Sequence, residues 1–134
     1  MIISDPIGDM LIRIKNAQLV NHYTVFVPYS KIKEEIAKIL KQEGYIETYE
    51  KVEIKRKKKI NLNYLKIRLK YFNKKPAISD VKRISKPGRR VYIKSNYRPD
   101  KFGGLTIIST PSGIKTLNEA KKNKEGGEII CQIW

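Results

Sequence analysis

Residues 105–134 read LTIISTPSGIKTLNEAKKNKEGGEIICQIW, and this stretch decides the fold prediction. Leu105–Ser109 is a short apolar run, which predicts a strand that is buried on both faces. Thr116 and Glu119 have the spacing of a capping box, so a short helix should follow them. Glu128–Trp134 is again mostly apolar and predicts a closing strand. The C-terminal part of the chain therefore combines strands with one helix.

The segment before this stretch has the pattern of a hairpin. Ile78–Ile84 predicts a strand, and the residues SKPG follow at positions 85–88. Proline followed by glycine suits the two central positions of a type II turn. Arg90–Ser95 would then be the returning strand.

The N-terminal half begins with two predicted helices. Pro6 suits the first position of a helix, and apolar residues follow it at helical spacing as far as Gln18. A short extended piece, Tyr23–Val27, separates this helix from the next. Ser30 is a good N-cap for the second helix, and Gly44 is a good left-handed stop.

Two strands are predicted after these helices. Tyr45–Ile54 reads as the first. Between Leu65 and Tyr71, apolar residues alternate with Lys and Arg, which indicates a half-buried strand with a basic outer face. Ile60 and Leu62 are out of phase with this alternation, so we expect a bulge or turn near Asn63–Tyr64.

These elements predict an α+β protein of two small lobes. Asn73–Pro76 has no apolar residue and is interpreted as a linker. The N-terminal lobe, residues 1–73, would combine helices with a short antiparallel sheet. The C-terminal lobe, residues 77–134, would be mostly antiparallel sheet with one short helix.

The charge of the chain indicates the class of its partner. The 134 residues include 29 Lys+Arg against 13 Asp+Glu, a formal net charge of +16. A polyanion that binds such a surface releases counterions, which favours the complex. Nucleic acid and an anionic membrane both qualify, but no apolar run approaches the roughly 20 residues that span a bilayer. Asp5, Pro6 and Asp9 also stand where a secretory signal would be basic and then apolar. We expect nucleic acid and no membrane.

The sequence has no pattern typical of a catalytic or metal site. His22 is the only histidine and lies in a polar step between a helix and a strand, where histidine is usually solvated. Cys131 is the only cysteine, and its alternation with Ile129 and Ile133 favours a buried core thiol. No glycine-rich phosphate loop precedes a Lys-Ser/Thr pair. We therefore predict a protein that is not an enzyme, with no cofactor, no metal and no small-molecule substrate.

The strand after the Pro–Gly turn is the first candidate for RNA binding. Arg90, Tyr92 and Lys94 share one face of it, and a basic face with an aromatic ring can pair with phosphates and stack on a base. Lys86 and Arg89 flank the same turn. The alternative is a solvated strand face on which Tyr92 packs against a neighbouring strand.

Two loops are further candidates. The loop at Ser109–Gly113 carries small hydroxyls that can reach 2′-hydroxyls, phosphates or base edges, although an ordinary turn would have the same composition. The basic run Lys55–Lys59, with Lys57 at its centre, is either a nonspecific phosphate contact or a solvated loop.

Five blocks of the sequence, in order, resemble a known family. They are DPIGDMLIRIKNAQ (residues 5–18), YSKIKEEIAKILKQEGYI (29–46), VKRISKPGRRVY (81–92), IISTPSGIKTLNEA (107–120) and GGEIICQIW (126–134). They look like the opening helix, the second helix and turn, the domain-joining hairpin, the signature loop with its helix, and the closing strand of the small-subunit ribosomal protein S-eight family of bacteria and organelles. The similarity extends over nearly the whole chain.

This resemblance implies a two-domain α+β protein that binds the central domain of small-subunit rRNA early and helps the platform to assemble. It implies neighbouring ribosomal proteins, such as small-subunit proteins five and twelve, as partners, and in some bacteria repression of the protein's own operon. The location implied is the small ribosomal subunit, either cytoplasmic or organellar. The family's RNA-facing positions fall on Lys86, Arg89, Arg90, Tyr92, Ser109, Thr110, Ser112, Gly113, Gly126, Gly127 and Glu128.

The chain departs from the family pattern in two places. Pro111 stands where a second serine is common, which removes one hydroxyl and one N–H from the loop. Residues 102–106 read FGGLT where the family has GLGIA. Two rival interpretations stay open: a free-standing RNA-binding module or repressor of another class, and an RNA-processing enzyme.

Overall fold

The computed structural model describes residues 5–55, 62–99 and 104–134. They form two compact units. The N-terminal unit comprises Ile12–Ala77, and the C-terminal unit comprises Ile78–Trp134 together with the chain up to Leu11. Each unit contains helix and antiparallel sheet, so the predicted α+β class is confirmed. The placement of a domain boundary at residues 73–77 stays a prediction.

The N-terminal unit is a three-stranded sheet with a helix packed on it. In order along the chain its elements are α1 (Pro6–Leu19, which begins in the C-terminal unit), β1 (Thr24–Pro28), α2 (Lys31–Gln42), β2 (Ile46–Ile54) and β3 (Leu62–Leu69). The strand order is β1-β3-β2, and both pairings are antiparallel. The Ser30 side chain caps α2 by accepting from the Lys33 amide, as predicted.

The core of this unit follows the alternation seen in the sequence. Leu65, Ile67 and Leu69 are buried in β3, while Arg68 between them is exposed. The bulge expected near Asn63–Tyr64 is wrong, because β3 pairs with β2 in regular register through these residues and leaves Leu62 exposed at the strand end.

The segment interpreted as a linker forms a hairpin. β4 (Tyr71–Phe72) pairs with β5 (Lys75–Pro76) across a two-residue turn. Asn73 and Lys74 both have positive φ, 49° and 67°. Two consecutive left-handed residues are the geometry of a type I′ turn, which suits tight hairpins.

The C-terminal unit is built around its last strand. Its elements are β6 (Val81–Arg83), β7 (Tyr92–Ile93), β8 (Leu105–Thr110), β9 (Gly113–Thr116), α3 (Leu117–Lys122) and β10 (Gly127–Ile133). β10 pairs with β8 on one edge, and β9 continues the sheet beyond β8. The predicted burial of β8 on both faces and the Thr116 cap of α3 are confirmed.

One pairing differs from the sequence prediction. The strand after the Pro–Gly turn does not return along β6. β6 and β7 both pair with β10, β6 opposite Cys131–Ile133 and β7 opposite Gly127–Glu128. The residues between β6 and β7 form a loop that leaves this edge of β10. No helix of the described residues is long and apolar enough to cross a membrane.

Candidate nucleic-acid interface

Three strands bring Tyr92, Glu128 and Ser109 side by side. Glu128 on β10 is the register partner of Tyr92 on β7 and of Ser109 on β8. Residues directly opposite each other in antiparallel strands project to the same face of the sheet. The two candidate RNA-binding segments therefore present their side chains on one surface, with Glu128 between them.

The Glu128 carboxylate holds the loop between β6 and β7. Its Oε2 accepts hydrogen bonds from Ser85 Oγ at 2.9 Å and from Arg90 Nη1 at 3.1 Å. Ser85 is fully buried, and its Oγ also accepts a hydrogen bond from the Val91 amide at 2.9 Å. Ser85 and Val91 thus close the base of the loop, which we name the basic loop (residues 85–91).

The tip of the basic loop presents its cations to solvent. Lys86 and Arg89 exchange two backbone hydrogen bonds of 3.0 and 2.9 Å, and both side chains are exposed. Gly88 has φ of +84°, as the third position of a type II turn requires. Beyond the loop, Tyr92 is 71% exposed, so it does not pack against a neighbouring strand as the alternative interpretation proposed. The predicted exposed face of Arg90, Tyr92 and Lys94 is confirmed as a surface feature.

The loop at Ser109–Gly113 is a tight turn in which Thr110 pairs with Gly113. The Thr110 hydroxyl is buried, accepts from the Ser112 amide at 3.2 Å and donates to the Gly113 carbonyl at 3.0 Å. Its role in this structure is to hold the turn. Ser109 is different, because its hydroxyl has no hydrogen-bond partner among the residues that the structure describes.

Ser112 belongs to a charged cluster that the sequence did not reveal. Its Oγ donates to Glu125 Oε2 at 2.6 Å, and Lys115 Nζ donates to Glu125 Oε1 at 2.9 Å. The hydrogen bond from Ser112, followed by that from Lys115, holds the pKa of Glu125 below its usual range. The carboxylate therefore stays ionised at neutral pH and fixes the Ser112 side chain at the turn.

Gly126 and Gly127 permit a close approach of three backbones. A Cβ on Gly127 would lie 2.0 Å from the Ser109 carbonyl oxygen, and one on Gly126 would lie 2.5 Å from the Ile93 carbonyl oxygen. Only glycine fits at both positions. The two residues thereby let β7 and β8 approach the start of β10, which brings the basic loop and the Ser109–Gly113 turn to neighbouring positions.

The remaining sequence candidates have different outcomes. Lys57 and residues 102–103 lie outside the described residues. His22 is exposed, its backbone amide donates to the Ala17 carbonyl, and its backbone carbonyl accepts from the Tyr71 hydroxyl. Cys131 is buried as predicted, and burial raises the pKa of its thiol to about 12. No group of three metal-ligating side chains occurs in residues 5–55, 62–99 and 104–134.

Sequence comparisons agree with this architecture. A family model described as "Ribosomal protein S8" matches residues 5–134. A protein named "Small ribosomal subunit protein uS8" from Dictyoglomus thermophilum is 51% identical, with all of both chains covered. Proteins of the same name from Nitratidesulfovibrio vulgaris strain Miyazaki F and from Pelagibacter ubique are 52% and 48% identical, covering 98% and 100% of this chain and 99% and 100% of their own.

Proposed function

This chain belongs to the ribosomal protein S8 family, and on that premise we propose that it is a structural constituent of the small ribosomal subunit that binds small-subunit rRNA directly. The role is structural rather than catalytic. Its site is the surface formed by the basic loop, Tyr92, Ser109 and the turn that follows Ser109.

One observation carries this proposal: Glu128 pairs in register with Tyr92 and Ser109 while its carboxylate binds Arg90. An aromatic ring, a hydroxyl and the Arg90 guanidinium therefore lie together, and the exposed Lys86 and Arg89 belong to the same basic loop as Arg90. Irregular RNA offers the matching groups, namely unstacked bases, 2′-hydroxyls and phosphates. A surface for a neutral protein partner would not need this density of positive charge.

The residues of the site divide into two roles in the proposal. Lys86, Arg89 and Arg90 attract phosphates, which supplies affinity without sequence preference. Ser109 and the backbone of the turn supply contacts that depend on the shape of one RNA site. Gly126, Gly127 and Glu128 shape and position this surface.

The biological setting is part of the same proposal. The RNA would be the central domain of small-subunit rRNA, and the protein would support assembly of the platform. Its neighbours would be other small-subunit proteins, such as proteins five and twelve, in a cytoplasmic ribosome. Repression of its own operon would use the same surface on a messenger RNA that copies the rRNA site.

Chemical footprinting of the purified protein on naked small-subunit rRNA tests the proposal. We expect protection confined to the central domain, and loss of that protection in the triple variant Lys86→Ala, Arg89→Ala, Arg90→Ala. A matched triple variant at the exposed residues Lys31→Ala, Lys38→Ala and Lys41→Ala removes the same three positive charges elsewhere on the surface. Protection scattered over all domains would contradict a specific site.

The division of roles has its own test. Ser109→Ala should weaken binding to the footprinted RNA more than binding to a random duplex of equal length, because the duplex offers only phosphates. Equal losses on both RNAs would refute this division. End-labelled RNA should stay intact in these incubations, and cleavage by the pure protein would favour the processing-enzyme alternative.

A further inference from the structure

A cleft lies in the N-terminal unit, and none of its lining residues belongs to the proposed rRNA site. It has a volume of about 370 Å³ and is lined by Asn21, Tyr23, Tyr71 and Lys74. The chain after α1 forms one side and the β4–β5 hairpin forms the other. The two sides are joined by a hydrogen bond from the Tyr71 hydroxyl to the His22 carbonyl. The cleft is therefore a built feature of this unit.

The aromatic rings of the cleft form an open corner. The ring centroids of Tyr23 and Tyr71 are 5.8 Å apart, and the ring planes meet at 75°. Tyr71 is held by its hydroxyl, whereas Tyr23 is 70% exposed. A flat ring of a ligand can stack on one tyrosine and place its edge against the other. A large exposed aromatic side chain in such a position is typical of a stacking platform.

The two segments that line the cleft carry only basic charged residues. No Asp or Glu occurs between Asp9 and Glu34, or between Glu53 and Asp80, and these two segments supply the whole lining. Lys74 lines the cleft at the tip of the hairpin, and Lys70 Nζ lies 4.9 Å from the Phe72 ring centroid. A ligand that carries a flat ring and a negative charge matches both properties.

We propose that this cleft binds an unpaired nucleotide of single-stranded RNA, with its base against Tyr23 and its phosphate at Lys74. An acidic peptide would satisfy the lysines but would leave the aromatic corner without a planar partner. An apolar peptide would cover the rings and leave the lysines uncompensated. The proposal adds a second RNA contact to the proposed function, and it depends on that function only in naming RNA as the partner.

Fluorescence anisotropy with a labelled oligouridylate tests the cleft in the full-length protein. Tyr23→Ala should reduce the affinity by about 5- to 150-fold, which is the range for losing one stacked base. Tyr23→Phe should retain most of the affinity, because the ring remains. Phe26→Ala is the control, since Phe26 is an exposed aromatic residue of β1, three positions after Tyr23 and outside the lining.

The outcomes separate this proposal from the rRNA site. Equal oligouridylate affinity of the wild type and Tyr23→Ala would overturn it, and an acidic peptide that then binds the wild type more tightly than Tyr23→Ala would identify the cleft as a peptide site instead. An oligomer with abasic sites should bind as weakly to the wild type as to Tyr23→Ala. If oligouridylate binding behaves as expected while no rRNA footprint appears, the proposed function fails and the cleft stands.

Discussion

The guanidinium of Arg90 lies 3.1 Å from the carboxylate of Glu128, although the Arg90 side chain is 49% exposed and that of Glu128 only 19%. Glu128 is thus a partly buried anion within a strongly basic surface. The same carboxylate oxygen also accepts a hydrogen bond from the Ser85 hydroxyl, so Glu128 fixes the base of the basic loop. An acidic residue in the proposed RNA-binding face is understandable when it positions a cation in this way.

The Ser85 hydroxyl should contribute to stability as well as to geometry. Ser85→Ala removes the acceptor of the Val91 amide and one donor to Glu128, in a fully buried position. Loss of such buried hydrogen bonds costs about 1–3 kcal/mol. Urea unfolding should show this loss, and Ser79→Ala at an exposed position should change the free energy of unfolding by less than about 0.5 kcal/mol. Unfolding midpoints that coincide for both variants and the wild type would argue against the role given to Ser85.

Gly127→Ala should separate the strands that carry the site. The added Cβ would meet the Ser109 carbonyl oxygen at 2.0 Å, and this obstacle is backbone that cannot rotate away. We expect a destabilisation of about 3 kcal/mol or more, at the upper end for overpacked positions. Thermal unfolding followed by circular dichroism measures it.

Gly88→Ala provides the comparison for that variant. A Cβ at Gly88 meets nothing within 4 Å, so the variant suffers only from its φ of +84°, at a cost of roughly 1–2 kcal/mol. The critical result is which of the two variants has the lower free energy of unfolding. A Gly127→Ala protein more stable than Gly88→Ala would show that the close approach of β8 and β10 is not maintained in solution.

The sequence predicted most elements because their signals are local. The caps at Ser30 and Thr116, the type II turn at Gly88 and the alternation in β3 each depend on neighbouring residues alone. Burial in α2 was harder to predict from the sequence. Ile32 is 37% exposed, whereas Lys33 is buried and its Nζ donates to the Pro28 carbonyl. The burial of Lys33 goes with a hydrogen bond to another element, which the apolar spacing of the helix does not reveal.

Strand pairing and the electrostatic contacts of the site could not be predicted in the same way. β6 and β7 looked like partners because a turn joins them, but both pair with β10, which lies more than 30 residues further along the chain. Ser85, Lys115 and Glu125 gave no distinctive signal, because their roles depend on residues distant in sequence. The glycine pair at 126–127 was a signal, and only the register explained its purpose.

We predict that the stability of the fold depends on pH through Glu125. Its pKa in the folded protein is lowered, first by the Ser112 hydrogen bond and then by Lys115, from an ordinary value of 4.5. A lowered pKa means that the ionised carboxylate stabilises the fold above about pH 4.5, and that this contribution disappears as the pH falls through the lowered pKa. Ser112→Ala should therefore raise the pKa of Glu125 towards 4.5 and reduce the stability lost on acidification. Carbon-detected NMR titration measures the shift, with Ser109→Ala as the control. An unchanged Glu125 titration in Ser112→Ala would contradict the hydrogen bond.

We predict that Lys86 contributes to the salt dependence of the RNA affinity. It lies exposed at the tip of the basic loop, where it can neutralise one phosphate. Lys86→Ala should weaken binding to all RNAs similarly and reduce the slope of log affinity against log salt by about one unit. Lys38→Ala, at an exposed position of α2, should leave the slope unchanged. Filter binding across a series of KCl concentrations distinguishes the two, and identical slopes for all three proteins would place Lys86 outside the interface.

Cys131 offers a direct measure of whether the C-terminal unit opens. It lies on β10 between β6 and β8, is fully buried, and has a thiol pKa raised to about 12 because burial disfavours the thiolate. Thiolate is the reactive form, so alkylation by iodoacetamide at pH 8 should be much slower in the folded protein than in urea, where the pKa returns to its usual range. Gly127→Ala should accelerate the reaction, because it weakens the pairing of β8 with β10. Rapid alkylation of the folded wild type would mean that β10 is exposed in solution and that the strands presenting Tyr92 and Ser109 do not stay paired with it.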